Sequence, residues 1–389
     1  TAGAGGGAGT AGAGGSAGAG TAGPGGGAGA GGSAGAGTAG AGGSGGAGGS
    51  TLAICTSNYV VGVYRVGDGT SSLVNSGNPV FLDGYSGAGN LVCSTPLPTA
   101  TNGANHRLIA SGTATSEGLI SRSSDGHYLV LSGYDAALGG SSLSATTSTA
   151  VPRVVARLDA LGNVDTTTAL TDWASANNPR SATSSDGVNI WVAGAAGGIR
   201  YTTLGATTSV QLSTTVTNLR QTNIFAGQLY VSDSSGSAVH LGSVGANLPQ
   251  TAGQTITNLS GFPLTGSPYG FFFADLDGNP GVDTVYVADD GGSTLAGNIT
   301  KYSLAAGTWT ATGSVGTTTD AYRGLTGSVS GGTVTLYATS KGGSGAAGGG
   351  LLVMLGDSSG FGGTFAPSPT VLATAAANTA FRGVALAPQ

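Results

Sequence analysis

Past residue 50 the chain is written in short runs in which apolar and polar residues alternate, separated by clusters of Gly, Ser and Asp. Alternation with period two is the mark of a strand with one face buried. One pattern is a hairpin, seen in VFLDGYSGAGNLVCSTPL (80–97), VVARLDALGNVDTTTAL (154–170) and ITKYSLAAGTWTATGSV (299–315). A second precedes it: HYLVLSG (127–133), VNIWVAG (188–194), QLYVSDS (228–234), DTVYVAD (283–289) and VTLYATS (334–340). A third opens the unit: EGLIS (117–121), RSATS (180–184), RQTNI (220–224), YGFFF (269–273), RGLTG (323–327) and RGVAL (382–386).

Together these predict a unit of four antiparallel strands recurring at roughly 40–60 residues, the spacing of β-propeller blades. The last opening strand stands at the C-terminal end of the sequence, and YVVGVYRV (59–66) with the 80–97 hairpin supplies later strands. One blade is therefore expected to be shared, three strands from one end of the body and one from the other, which closes the ring. The predicted fold is all-β, a six-bladed propeller over residues 51–389, with seven blades as the alternative count. The strands and the terminal FRGVALAP resemble secreted bacterial β-propeller proteins across essentially all of 51–389. That resemblance implies the fold and an extracellular location, and no activity.

Residues 1–50 follow another rule. Read in threes they run TAG AGG GAG TAG AGG SAG, with glycine closing each triplet and the phase slipping at Ala19-Gly20 and Ala36-Gly37. Residues 11–23 and 28–40 are identical. Three residues per turn is the period of the polyproline-II helix, which makes no internal hydrogen bonds. Glycine at every third position leaves one edge bare, so another backbone can approach and take the free N–H and C=O groups. Pro24 is the only proline here, which disfavours a collagen triple helix and favours a polyglycine-type bundle. A flexible tether and a silk-like sheet are the alternatives. The arm is expected to assemble with copies of itself.

Composition narrows the setting. Charged residues are 7% of 389, the net charge is −5 and the pI is about 4.9, which speaks against nucleic acid or an anionic membrane as partner. Hydrophobic residues at 39% suit a folded body, and no apolar run is long enough to span a bilayer. The sequence starts at Thr1 without an apolar leader and is read as a trimmed, secreted chain. Cys55 and Cys93 are the only cysteines, so one intrachain disulfide at most is available. Asn258-Leu259-Ser260 and Asn298-Ile299-Thr300 fit the glycosylation pattern.

The sharpest chemical motif is FADLDGNPGVDTVYV (273–287). It resembles the calcium loop of FG-GAP repeats. The resemblance implies ligands from Asp275, Asp277, Asn279, the carbonyl of Gly281 and Asp283, alternate oxygens turned onto a hard cation. An EF-hand is excluded, because Pro280 and Tyr286 stand where Gly and Glu are required. The bland alternative is a cluster of Asx turns.

Arg180, Arg220, Arg323 and Arg382 recur near the starts of opening strands, with Glu117 and Tyr269 at the matching positions of the other two. Around a central channel they could form an anion-binding ring, or they could tie neighbouring blades together. The three histidines, His106, His127 and His240, have no metal spacing, and no G-x-S-x-G elbow exists. A phytase-like propeller would need several acidic clusters and more lysine. Trp173, Trp191 and Trp309 could offer a sugar-stacking platform or serve the core. No catalysis is expected. The expected function is a structural subunit of an extracellular fibre or surface coat; the alternative is a glycan-binding adhesin on a Gly-rich tether.

Overall fold

The chain divides into two units, Thr1–Ser50 and Thr51–Gln389. The computed structural model describes residues 52–56, 58–140, 142–233, 238–291, 297–342 and 348–389. The expectation for the Gly-rich arm lies outside the described residues.

Among the described residues the second unit is all-β apart from one short 3-10 turn, Leu143–Ala145. Four separate sheets of four antiparallel strands follow one another along the chain. The first comprises Pro179–Ser184, Asn189–Gly194, Ile199–Thr203 and Val210–Gln211. Leu219–Phe225, Gln228–Asp233, Leu241–Val244 and Ile256–Asn258 form the second. The third holds Pro268–Ala274, Thr284–Asp289, Ile299–Ala305 and Thr308–Val315. The fourth holds Tyr322–Ser330, Thr333–Ser340, Leu351–Asp357 and Thr370–Thr374.

The remaining strands belong to one ten-stranded sheet. Thr379–Leu386 pairs antiparallel with Val61–Val66, which pairs with Gly77–Tyr85, which pairs with Leu91–Pro96. Ser121–Arg122, Tyr128–Tyr134, Arg153–Asp159 and Val164–Leu170 make a second run of four. Ile109–Ser111 bonds to both runs, to residues 77–79 on one side and to Tyr134 on the other, and the tenth strand, Gly348–Gly349, pairs parallel with Thr379–Leu386. Six separate sheets were expected; the short strand at 109–111 fuses two of the runs into one. The whole is a β-propeller-like arrangement of small sheets.

The hairpins have a local cause. Ala226-Gly227 and Ala306-Gly307 take φ values of 47° and 73°, and of 50° and 77°. Positive φ at both central residues is the type I′ turn, whose twist matches that of the flanking strands. The expected strand at 117–121 is mostly absent for a related reason. Gly118 adopts φ 77°, which breaks the extended run, so the ladder there is reduced to Ser121–Arg122 and a single parallel bridge between Leu119 and Ser181.

The opening strands contact one another in cyclic succession: 379–386, 121–122, 179–184, 219–225, 268–274, 322–330 and back to 379–386. Their backbones come very close. A Cβ on Gly383 would lie 2.5 Å from the Gly118 carbonyl oxygen, so only glycine fits. Packing between sheets is apolar: Tyr230, Phe262, Phe271, Phe273 and Trp309 fill the space between the second and third sheets. The middle strands Asn189–Gly194 and Thr284–Asp289 are buried almost throughout, because a neighbouring sheet covers each face. Lys301 and Asp357 are also buried and pair at 2.8 Å, joining the third sheet to the fourth. Cys55 and Cys93 form a disulfide with Cα atoms 4.9 Å apart, fastening the segment before Val61 to the strand Leu91–Pro96.

Candidate functional site

Four arginines lie together at the starts of the opening strands. Arg180 Nη1 donates to Asn218 Oδ1 at 2.7 Å and to the Leu219 carbonyl at 3.0 Å. Arg323 Nε donates to Asp290 at 3.0 Å, and its Nη1 bonds Thr115. Arg382 Nη2 donates to the Gly112 carbonyl at 3.0 Å. The guanidiniums of Arg220 and Arg323 stack on Tyr269, 3.7 and 4.3 Å from its ring centroid. The bonds of Arg180, Arg323 and Arg382 run to a neighbouring sheet or its connection, so these side chains cross-link the unit around its centre.

Their burial has an electrostatic cost. Desolvation draws Arg180 and Arg382 down to about 10 and Arg220 to about 9, where the like charge of Arg180 adds to the effect. Glu117 completes the cluster. Its carboxyl accepts from Tyr134 Oη, from Asn178 Nδ2 at 2.6 Å and from the Ser111 N–H at 3.2 Å. Burial pushes it up to about 7.

The hairpin loop between Pro268–Ala274 and Thr284–Asp289 gathers Asp275, Asp277 and Asp283, each offering an oxygen within 4.8 Å of the others. Asp283 is buried, and its Oδ2 accepts the N–H groups of Leu276 at 2.9 Å and Asp277 at 2.6 Å. Asn279 turns its amide nitrogen onto Asp277 at 2.9 Å, which holds that carboxyl below the usual carboxylate range. Gly281, the expected carbonyl ligand, is exposed in the same turn at φ 123°. None of the three carboxylates has a cationic partner within ion-pair distance among the described residues. An all-oxygen set with uncompensated charge is chemically suited to a hard cation.

Where several opening strands end, sequence reading had marked nothing, and the structure places a cavity of about 460 Å³ there. Arg122, Asn223, Phe225, Phe272 and Thr326 line it. Phe225 and Phe272 meet edge to face with centroids 5.9 Å apart, and both are half-buried. A second cavity of about 500 Å³ adjoins through Arg122 and Leu386 and extends to Ser328 and Gln389. No motif announces these residues, because each is an ordinary strand residue made special by its neighbours around the axis.

The other candidates have structural employment. Trp173, Trp191 and Trp309 are buried and present no platform to a sugar. His106 Nδ1 lies 2.9 Å from Asp135, which also takes Arg107 Nε at 2.7 Å. His127 meets Asp125 at 3.1 Å across its own turn, and His240 Nδ1 meets the Thr265 carbonyl oxygen at 2.7 Å. Asn258 donates its amide to the carbonyls of Leu259 and Phe262, at 3.3 and 3.1 Å. Among the described residues no helix is long and apolar enough to cross a membrane.

No family of known proteins matches the chain by sequence, and neither does any curated protein. Solved structures are similar in fold at low identity. One is a putative 6-phosphogluconolactonase from Bacteroides fragilis, 15% identical, with 80% of this chain and 82% of that one covered and a TM-score of 0.43. Another is the GH74 enzyme of Niastella koreensis, 15% identical at a TM-score of 0.45; 79% of this chain is covered, but only 47% of that chain. A third, the computationally designed Ika8 protein, is 9% identical, with 82% and 92% covered and a TM-score of 0.38.

Proposed function

We propose that the chain is a structural subunit of an extracellular fibre or surface coat. Residues 1–50 assemble with copies of themselves, and a six-bladed propeller is displayed outward. The count of six treats the ten-stranded sheet as two blades, one of them closed by Thr379–Leu386. The observation that carries the reading is the glycine at every third position of the arm, a pattern whose backbone needs partners outside the helix. A low-charge, disulfide-fastened body suits exposure outside the cell. Asp275, Asp277 and Asp283, with Asn279 and Gly281, would hold a structural calcium ion in the hairpin loop.

A second reading, a glycan-binding adhesin, is favoured by the paired cavities at Arg122, where aromatic faces stand beside polar edges. Electron microscopy of the full chain beside residues 51–389 tests the first reading. It predicts concentration-dependent filaments from the full chain alone; monodisperse particles from both would reject it.

A further inference from the structure

Arg122 lines two neighbouring cavities. Its Nη1 donates to the Ala387 carbonyl at 3.2 Å, while its Nε and Nη2 have no bonded partner among the described residues. No carboxylate lies within ion-pair distance of it among those residues; the same holds for Arg153, Arg180 and Arg382, but those three are buried, whereas Arg122 is half-buried where it lines the cavities. Asp125, close by in sequence, is occupied by Ser123 and His127. Burial lowers the Arg122 pKa from the usual guanidinium value. In a chain of net charge −5, Arg122 lines both cavities, which share it and Leu386.

The Nε–Nη2 edge of arginine is a planar two-donor fork that matches a carboxylate. Around it, Phe225 and Phe272 present half-buried ring surface. Asn223 accepts through its Oδ1 from Thr183 and Ile224, which leaves its Nδ2 as a donor, and the half-buried Thr326 lines the same cavity. Flat apolar surface beside hydrogen-bonding edges suits a sugar ring. Two cavities of about 460 and 500 Å³ in series suit more than one ring, with Arg122 at the junction.

We propose that this paired cavity binds a carboxylate-bearing oligosaccharide, with the Nε–Nη2 edge of Arg122 gripping a uronate carboxylate and Phe225 and Phe272 packing on the sugar rings. The inference deepens the glycan-binding reading and rests on it.

Isothermal titration calorimetry of the full chain tests it with three probes: an oligogalacturonate, the same oligomer fully methyl-esterified, and a tetraglutamate peptide. The oligogalacturonate is expected to bind, more weakly at higher salt, with at least about a tenfold loss on esterification, the worth of one charge-assisted fork. Arg122→Met, which keeps the apolar stem, is expected to lose at least about tenfold as well. Asn223→Asp provides a second variant: it preserves the acceptor used by Thr183 and Ile224 yet sets an anion against the carboxylate, and it too should lose affinity. Equal binding of the ester, or undiminished binding by variants that melt like the wild type, would overturn the carboxylate assignment but leave glycan binding standing. Tighter binding of tetraglutamate would overturn the saccharide assignment. No binding of either oligosaccharide would remove the carboxylate proposal, and a null result on a panel of neutral oligosaccharides would remove the glycan-binding reading with it.

Discussion

Glu117 sits where three stretches of chain meet, held by Ser111, Tyr134 and Asn178. With its pKa raised from 4.5 to about 7 by burial, the folded protein binds this proton more tightly than the unfolded chain does. Stability from this group is therefore complete below pH 4.5 and is lost as the pH rises through about 7, a change of roughly 3 kcal/mol. Glu117→Gln, which mimics the protonated acid, should flatten the pH dependence in that window. Urea midpoints at pH 5 and pH 7.5 check it, and an unchanged slope in the variant would refute the assignment. Lys301 offers a contrasting case. It donates to Ser359 Oγ at 2.8 Å and the Gly360 carbonyl at 2.6 Å besides pairing with Asp357. Lys301→Met leaves Asp357 buried and uncompensated, with an expected loss of about 3–5 kcal/mol. Lys301→Met/Asp357→Leu should recover part of it, as chemical denaturation of both variants would measure. The arginine cluster was visible in the sequence, because its members recur in the same phase of repeated strands. Their partners were not: Asn218, Thr115 and Gly112 lie in connections whose position depends on the closed assembly.

At the scale of elements, period two identified the strands with strong alternation and turns of Gly, Ala and Asp. The hairpins at 80–97, 154–170 and 299–315 all form. Short outer strands such as Val210–Gln211 and Ile256–Asn258 were missed, since two or three residues carry no readable period. Alternation also says nothing of lateral partners, so the fusion through Ile109–Ser111 had no signal. The loop at 275–283 is the element whose chemistry was most legible, because all three of its carboxylates lie within one turn. If calcium occupies it, chelation should lower the melting temperature and added calcium restore it. Asp277→Ala should abolish that response, and the exposed position of Asp277 keeps the substitution from disturbing the core. A melting temperature indifferent to chelation in the wild type would leave the loop as a set of hydrogen-bonded turns.

For the molecule as a whole, the decisive feature is that one sheet is assembled from both ends of the propeller unit. Thr379–Leu386 pairs with Val61–Val66 along nearly its full length, pairs at its start with Gly348–Gly349 on the other side, and also packs against Tyr322–Ser330. It buries Ala380, Phe381, Val384 and Ala385. Without it, Val61–Val66 would present unpaired backbone groups and the apolar cluster around Phe381 would open to water. Such a strand contributes hydrogen bonds and apolar burial together, and marginal stabilities of about 5–15 kcal/mol leave little room for losing both. A chain ending at Asn378 is therefore expected to lose its cooperative thermal transition and to aggregate. Because the strand is held by pairing and packing, a synthetic peptide of residues 376–389 should dock in trans and restore a cooperative transition whose midpoint rises with peptide concentration. Calorimetry of the truncated chain with and without peptide measures this. If the truncated chain melts cooperatively at the wild-type temperature, the C-terminal strand is an ornament on a body already closed without it. If it recovers only with peptide, the two ends of the unit are what hold the ring shut.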